Sequence, residues 1–303
     1  MIPISTSVLG IRMQIQAEAS LSILATKFDA FVLDVWGVLM DGATPYPGAK
    51  NCLQELRNVG KRIILLSNAP RPASSVAERL EFIGMGPSLY DHILTSGEAS
   101  RLALAERTDP SIAALGRSYF HIGPNRDQNL LQGLKYSCTE NLDAADFILT
   151  TGVVDDSDKL DRYEPCLQIA KKNNVPMICA NPDNVVVRQN GDQVICAGAI
   201  ANRYQEIGGA AHYFGKPHQT FYETCLKQLK GIARNRILAV GDTLHTDIKG
   251  AQDVGLTTAL VLGGVLAKRL GITWGESAAS GRLEKLCAEQ SIFPDFALPT
   301  FIW

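Results

Sequence analysis

The chain has 303 residues, 46% of them hydrophobic and 20% charged, and its formal net charge is −2. Such a chain is long enough for two domains, and its near-neutral charge gives no reason to expect nucleic acid or an anionic membrane as a partner. No apolar run approaches the roughly 18 residues of a membrane span, and residues 1–27 lack the pattern of a signal peptide. Seven scattered cysteines without a Cys-x-x-Cys pair favour reduced thiols and therefore a cytoplasmic location.

Strand-like and helix-like stretches alternate along the chain. Predicted strands cover residues 30–35, 62–67, 92–95, 118–122, 146–150, 175–180, 236–240 and 257–262. Predicted helices cover about 17–26, 48–59, 72–83, 98–106, 158–173, 198–208, 217–230, 246–254 and 280–290. This alternation is typical of an α/β protein whose parallel sheet is built from βαβ units.

The first predicted strand ends in an acid. Phe31-Val32-Leu33 is apolar, Asp34 follows, and Gly37 allows the chain to turn. A buried, unpaired carboxylate costs several kcal/mol of hydration, so an acid at this position indicates a function. Ligands of open α/β sheets bind just outside the carboxyl ends of the strands, which is where Asp34 is expected.

Three later stretches carry polar residues in similar places. The second strand ends in Ser67 and Asn68, which offer a hydroxyl and an amide. Lys216 stands directly before Pro217, where a helix is predicted to begin. The strand at 236–240 leads into Gly241-Asp242, and a second acid, Asp247, follows five residues later.

The motifs fall into two blocks, residues 31–72 and 215–247, separated by roughly 140 residues that hold predicted strands and helices of their own. A structureless loop of that length is implausible inside a compact domain. We therefore expect an inserted α/β domain at 97–206, and a discontinuous core domain made of 1–96 and 207–303.

Asp, then Ser-Asn, then Lys, then Gly-Asp with a further Asp is an order that resembles the haloacid dehalogenase (HAD) superfamily. The resemblance extends from Phe31 to about Val265 and implies a doubly wound parallel-sheet core with an inserted α/β cap domain. It implies that Asp34 is the nucleophile, that Lys216 neutralises charge, and that Ser67 and the Asn68 backbone donate to phosphate oxygens. It also implies one Mg²⁺, with the following ligands: Asp34, the backbone carbonyl of Trp36, Asp242 and, directly or through water, Asp247.

A second set of motifs resembles the class IIA branch of that superfamily, which includes sugar-phosphate, nucleotide and pyridoxal-phosphate phosphatases. These motifs are Ala180-Asn181-Pro182-Asp183, Cys196-Ala197-Gly198-Ala199-Ile200, Gly208-Gly209 and Gly215-Lys216-Pro217. The cap residues Asn181 and Asp183 are therefore candidate substrate contacts. Arg71, just after Ser67-Asn68, is another candidate, although a surface arginine would fit its position equally well.

One position departs from the phosphatase pattern. Phosphatases of this superfamily usually carry an Asp two residues after the nucleophile, as general acid and base, but Trp36 stands there. Indole cannot exchange a proton at neutral pH, and general acid–base help is typically worth about 10²–10⁴-fold. Asp41 and His245 are the nearest candidates to replace it.

The sequence thus predicts a Mg²⁺-dependent phosphatase that acts on a small phosphorylated metabolite such as a sugar phosphate, through an aspartyl phosphate. Two alternatives remain open: a phosphate-binding protein with weak or lost turnover, and a haloacid dehalogenase. An aromatic residue near the nucleophile suits the dehalogenase, whereas the Asp242/Asp247 pair and the large insert do not. The oligomeric state, homo-oligomer included, is not readable from the sequence.

Overall fold

The computed structural model describes residues 15–187, 193–279 and 281–303. In chain order its strands are β1 (Gln16–Ala17), β2 (Ala30–Asp34), β3 (Arg62–Ser67), β4 (His92–Thr95), β5 (Ser118–Ile122), β6 (Ser137–Thr139), β7 (Phe147–Thr150), β8 (Met177–Cys179), β9 (Val185–Val187), β10 (Gln193–Ile195), β11 (Ala211–Tyr213), β12 (Ile237–Gly241), β13 (Thr257–Val261) and β14 (Phe296–Leu298). Its α-helices are α1 (Leu21–Ala25), α2 (Ala49–Asn58), α3 (Ala73–Phe82), α4 (Ser96–Glu106), α5 (Pro110–Ala113), α6 (Glu164–Lys172), α7 (Ala197–Glu206), α8 (Gln219–Leu226), α9 (Lys249–Asp253), α10 (Ala267–Leu270) and α11 (Arg282–Gln290).

A seven-stranded parallel sheet forms the core, in the order β1-β14-β13-β12-β2-β3-β4. Successive residues of a strand point to opposite faces, so Phe31 packs with α2 and α3 on one face while Val32 packs with α8 and α9 on the other. The central strands are continuously apolar because both faces are covered by helices. The predicted doubly wound α/β fold is confirmed.

A second parallel sheet, in the order β11-β8-β7-β5-β6, belongs to the inserted segment. Helices α6 and α7 pack on one of its faces, and α4 contributes Leu104 to the other. Strand β11 joins this sheet at 211–213, beyond the predicted end of the insert at residue 206. The division of the chain at 97–206 stays a prediction, and the sheet order favours a later end.

Several elements near the ends of the chain differ from the prediction. The helix predicted at 17–26 is the short strand β1 followed by α1, and β1 pairs with β14 at the edge of the core sheet. The helix predicted at 246–254 begins with one π-helical turn, Leu244–Ile248, before α9. Such turns often occur at functional sites, and this one carries Asp247. Across the described residues, no helix combines the length and apolarity that crossing a membrane requires.

Candidate active site

The strands β2 and β12 are neighbours in the core sheet, and each is followed or ended by an acid. Asp34 is the last residue of β2, and Asp242 follows directly after β12. Strand β2 also lies where the strand order reverses, with β3 on one side and β12 on the other. Crevices at such a reversal are the usual ligand sites of open α/β sheets, so the fold itself brings these two carboxylates to a binding position.

Lys216 lies between two buried carboxylates. Its Nζ is 2.7 Å from Asp34 Oδ1 and 2.5 Å from Asp247 Oδ1, and all three side chains are less than a tenth exposed. The Asp34 oxygen also accepts a hydrogen bond from the Val35 N–H at 2.7 Å. Charge-assisted hydrogen bonds of this length are strong, and they hold the Asp34 carboxylate in one orientation.

The carboxylate of Asp242 is fixed by its neighbours. Its Oδ2 accepts a hydrogen bond from the Val265 N–H at 2.7 Å, and its Oδ1 accepts one from the Thr243 hydroxyl at 3.1 Å. Glycines surround it: a Cβ on Gly37 or Gly264 would lie 2.0 or 2.2 Å from Asp242 Oδ2. Only glycine at these two positions leaves room for the acid.

Burial and mutual repulsion shift the protonation of this cluster. Burial, reinforced by the Asp247 charge, raises the pKa of Asp34 well above its ordinary value, and the same two causes raise the pKa of Asp242 to about 7. Burial alone would lower the pKa of Lys216, but the Asp247 and Asp34 carboxylates raise it well above its usual range. Lys216 therefore stays charged at neutral pH.

The three acids form a set that suits a divalent cation. One carboxylate oxygen from each of Asp34, Asp242 and Asp247 lies within 4.8 Å of the others, and all three residues are buried. When ionised, three carboxylates against one lysine leave two negative charges, which a divalent ion would neutralise. All-oxygen donor sets are what Mg²⁺ and Ca²⁺ prefer, so the residues present fit such an ion.

Ser67 is the last residue of the neighbouring strand β3, and Asn68 follows directly after it. Asn68 connects two parts of the site: its Oδ1 accepts from the Lys216 N–H at 2.7 Å, and its Nδ2 donates to the Lys216 carbonyl at 3.1 Å. Its Nδ2 also donates to Asp183 Oδ1 at 2.8 Å. The Asn68 side chain therefore positions the Lys216 loop, a contact over 148 residues of sequence that the motifs alone do not reveal.

Of the predicted cap residues, Asp183 contacts the core through Asn68, and Asn181 lies on the same loop two residues earlier. Asn181 Oδ1 accepts a hydrogen bond from the Asp183 N–H at 3.0 Å, which shapes the loop that carries both residues. A Cβ on Gly215 would lie 2.6 Å from Asn68 Oδ1 and 2.8 Å from Pro182 Cδ. Only glycine at position 215 permits this close approach of the cap loop to the Lys216 loop.

Arg71 also links the two sheets. Its Nε donates to Asp127 Oδ1 at 2.7 Å, and Asp127 lies in a 3₁₀ turn of the inserted segment and is 2% exposed. Asp127 was not among the predicted site residues. No short-range pattern identifies it, because its partner lies 56 residues earlier in the chain.

Trp36 stands where related phosphatases have an acid, and Asp41 and His245 are the candidates to replace that acid. The Trp36 indole is half-buried and packs over Gly42, where a Cβ would lie 2.8 Å from the ring. Asp41 caps its own turn, accepting hydrogen bonds from the Ala43 and Thr44 N–H groups. His245 is exposed on the π-helical turn. The hydrogen bonds from the Ala43 and Thr44 N–H groups hold the Asp41 carboxylate in its own turn.

Comparisons with known proteins identify the family of the chain. A family model described as haloacid dehalogenase-like hydrolase matches residues 31–137, and one described as HAD-hydrolase-like matches residues 213–278. Human glycerol-3-phosphate phosphatase is 26% identical over 83% of this chain and 84% of its own, and Schizosaccharomyces pombe 4-nitrophenylphosphatase is 27% identical over 79% and 85%. A crystal structure of a haloacid dehalogenase-like hydrolase from Brucella suis 1330 is 32% identical, with a TM-score of 0.79 over 94% of this chain and 100% of that one. The chain therefore belongs to the haloacid dehalogenase-like hydrolase family.

Proposed function

We propose that this protein is a Mg²⁺-dependent phosphatase that hydrolyses a small phosphorylated metabolite, such as a sugar phosphate, through a phosphorylated Asp34. The observation that carries the proposal is the buried group of Asp34, Asp242 and Asp247 around Lys216 at the carboxyl ends of adjacent strands. The phosphatase names of the relatives support the same reaction class.

The first step transfers the phosphoryl group to the protein. An oxygen of Asp34 attacks phosphorus and forms a P–O bond while the bond between phosphorus and the ester oxygen breaks. The ester oxygen leaves as an anion and takes a proton from solvent. Lys216 attracts the phosphate oxygens by its charge, and Ser67 donates a hydrogen bond from the end of β3. Positioning and charge neutralisation supply most of the acceleration in phosphoryl transfer, and this rigid set of side chains provides both.

In the second step, a water oxygen attacks phosphorus, the bond between phosphorus and the Asp34 oxygen breaks, and the water proton passes to solvent, which releases phosphate and restores the Asp34 carboxylate. The bound divalent ion would supply positive charge beside the phosphate oxygens, held by Asp34, the Trp36 carbonyl, Asp242 and Asp247. Lys216 stays protonated throughout, because its raised pKa makes it a poor proton donor. It acts by charge alone.

A panel of small phosphate esters, assayed with Mg²⁺ and with EDTA, tests the proposal. Phosphate release that requires Mg²⁺ supports it. Absence of turnover, with phosphate still raising the melting temperature, would instead indicate the phosphate-binding alternative. Halide release from a 2-haloacid in the presence of chelator would identify a dehalogenase.

Trp36 leads to a prediction about the ester itself. Without an acid to protonate the departing oxygen, the rate should depend steeply on how readily that oxygen leaves as an anion. We expect kcat/KM for 4-nitrophenyl phosphate to exceed that for a hexose phosphate by about 10²-fold or more. Steady-state kinetics on both esters measure the difference.

Two substitutions refine this test. Trp36→Asp should speed the hexose ester relative to the nitrophenyl ester, because it adds the missing proton donor. Trp36→Phe keeps an aromatic ring over Gly42 without adding an acid, and it should keep the steep dependence. Equal rates on the two esters in the unmodified enzyme would show that another group, Asp41 or His245 first, already serves as the acid.

The inserted segment is proposed to act as a lid over the site, with its boundaries near residues 97 and 206–213. Limited proteolysis should cut near these joins, and vanadate with Mg²⁺ should slow cutting by holding the lid against the core. Cutting that occurs only near the chain ends, and at the same rate with and without vanadate, would contradict a moving lid.

A further inference from the structure

The cap loop that carries Asp183 is braced by the helix that follows it. Asn181 Oδ1 accepts the Asp183 N–H at 3.0 Å, and the Asp183 carbonyl accepts the Gly198 N–H at 3.1 Å, in the first turn of α7. A Cβ on Gly198 would lie 2.2 Å from the Pro182 carbonyl oxygen, so glycine is required for α7 to begin this close to the loop. The Asp183 backbone is therefore held on the cap side by two hydrogen bonds.

The side-chain amide of Asn68 is the group on the core that Asp183 reaches. An asparagine amide has two N–H donors and one oxygen acceptor. The two donors of Asn68 are directed to the Asp183 carboxylate at 2.8 Å and to the Lys216 carbonyl at 3.1 Å, and its oxygen accepts the Lys216 N–H at 2.7 Å. Asp183 takes the donor that Lys216 leaves over, so the amide is held from both the cap and the core.

The main chain at Lys216 is held in turn by Asn68. Its N–H and its carbonyl both bond to the Asn68 side chain, in the connection between β11 and α8. Gly215, just before it, has a φ of 121°, a conformation that other residues rarely adopt. From this point the lysine side chain extends to Asp34 at 2.7 Å and Asp247 at 2.5 Å. A shift of the Lys216 main chain would move its charge relative to both carboxylates.

We propose that Asp183 is a positioning residue for the reaction at Asp34. By holding the Asn68 amide from the cap side, it keeps the Lys216 main chain in the place from which the lysine charge reaches the phosphoryl group. Asp183 then acts through Asn68 and Lys216, whereas its motif suggested direct contact with the substrate. The inference rests on the proposed phosphatase activity, and it adds a link from the cap to the lysine of the active site.

The kinetic test uses two esters with good but different leaving groups, 4-nitrophenyl phosphate and acetyl phosphate. Asp183→Ala should lower kcat by about 10–10²-fold, because small misplacements of a catalytic group cost that much. The factor should be the same for both, since Lys216 acts on the phosphoryl group that they share. An Asp183 that touched the leaving group would change the two esters by different factors, and that result would overturn the inference. Melting curves of each variant check that it is folded.

A conservative variant and a matched control complete this test. Asp183→Asn keeps an oxygen that accepts the Asn68 N–H, so its activity should stay within about fivefold of the unmodified protein. Asp143→Ala is the control, because Asp143 also accepts an asparagine N–H at 2.8 Å, from Asn173, and both residues are exposed on the cap. It should change kcat by no more than about twofold. A loss in Asp183→Asn as large as that in Asp183→Ala would contradict a role through this hydrogen bond.

A double-variant cycle on 4-nitrophenyl phosphate tests whether Asp183 acts through Asn68. Once Asn68→Ala has removed the amide, Asp183 has nothing left to hold in place. Adding Asp183→Ala should therefore lower kcat no further. Losses of the two single variants that multiply in the double variant would show that the residues act independently, contrary to the proposal.

Hydrogen exchange, followed by NMR, measures the positioning itself without turnover. The Lys216 N–H donates to a buried Asn68 oxygen, so it should exchange slowly in the unmodified protein. In Asp183→Ala it should exchange about tenfold faster or more, because the loop opens more often, while the amides of the central strand β12 stay unchanged. If no ester is hydrolysed, the proposed function fails while this measurement still decides the inference. Unchanged exchange at Lys216 in a folded Asp183→Ala protein would overturn it.

Discussion

Asp34→Asn should lower kcat by about 10⁴-fold or more on every phosphate ester, the order of loss seen when a catalytic nucleophile is removed. An amide has nearly the shape of a carboxylate but cannot attack phosphorus to form the acyl phosphate. The variant should fold, because it removes one of three carboxylates that repel one another within 4.8 Å. Phosphate release and the melting temperature, measured together, separate loss of chemistry from loss of structure.

The matched control lies at the other end of the same strand. Asp29 precedes β2, is half-exposed and pairs with Arg236 at 2.7 Å, at the opposite end of the strand from the site. Asp29→Asn should keep nearly full activity, since exposed ion pairs contribute little to stability and Asp29 has no part in the chemistry. A folded Asp34→Asn protein with more than about 1% of normal activity would show that Asp34 is not the nucleophile.

The core of the fold was readable from the sequence because its signals are local. The apolar runs ending at Asp34, Ser67 and Gly241 each contain their own strand signal and the polar residue that follows it. In a parallel sheet these ends meet at one edge, so local patterns are enough to predict which side chains gather there. The family resemblance then supplied their expected roles.

The contacts between cap and core could not be predicted from local sequence patterns. Arg71 and Asp127 are 56 residues apart, and Asn68 and Asp183 are 115 apart. Nothing in the local sequence says which cap loop will approach which core loop. Gly215 does give a local indication of such a contact. A position that admits no side chain indicates that another loop approaches closely, and here that loop contains Pro182.

Edges and ends of elements were also harder to predict. Strands β1 and β14 are two and three residues long and depend on pairing with each other and with β13, so neither has a convincing pattern alone. The π-helical turn at 244–248 departs from the ordinary helix period, and it places Asp247 where Lys216 can reach it. Tertiary pairing, rather than local propensity, decides these segments.

Asp242→Asn should remove most of the stabilisation that Mg²⁺ gives to the folded protein. A ligand present at about a hundred times its Kd stabilises the folded state by about 2.7 kcal/mol, which is a rise of several degrees in melting temperature. Asp242 is expected to bind the ion with one of three carboxylates, and the amide has no charge to offer it. Thermal melts with Mg²⁺ and with EDTA measure the effect without depending on activity. Asp253→Asn, an exposed acid at the end of α9, is the control and should respond to Mg²⁺ as the unmodified protein does.

The same melts should depend on pH in a defined direction. The pKa of Asp242 is raised to about 7 in the folded protein, by burial first and by Asp247 second, against about 3.8 when unfolded. The folded state therefore holds the Asp242 proton more tightly than the unfolded state does. The resulting contribution of Asp242 to the free energy of unfolding is complete below about pH 4 and is lost as the pH rises through 7. Mg²⁺ binding requires the ionised carboxylate, so the stabilisation by Mg²⁺ should be larger at pH 8 than at pH 6. In Asp242→Asn this difference between the two pH values should shrink, and a Mg²⁺ response equal to that of the unmodified protein at both would show that Asp242 does not bind the ion.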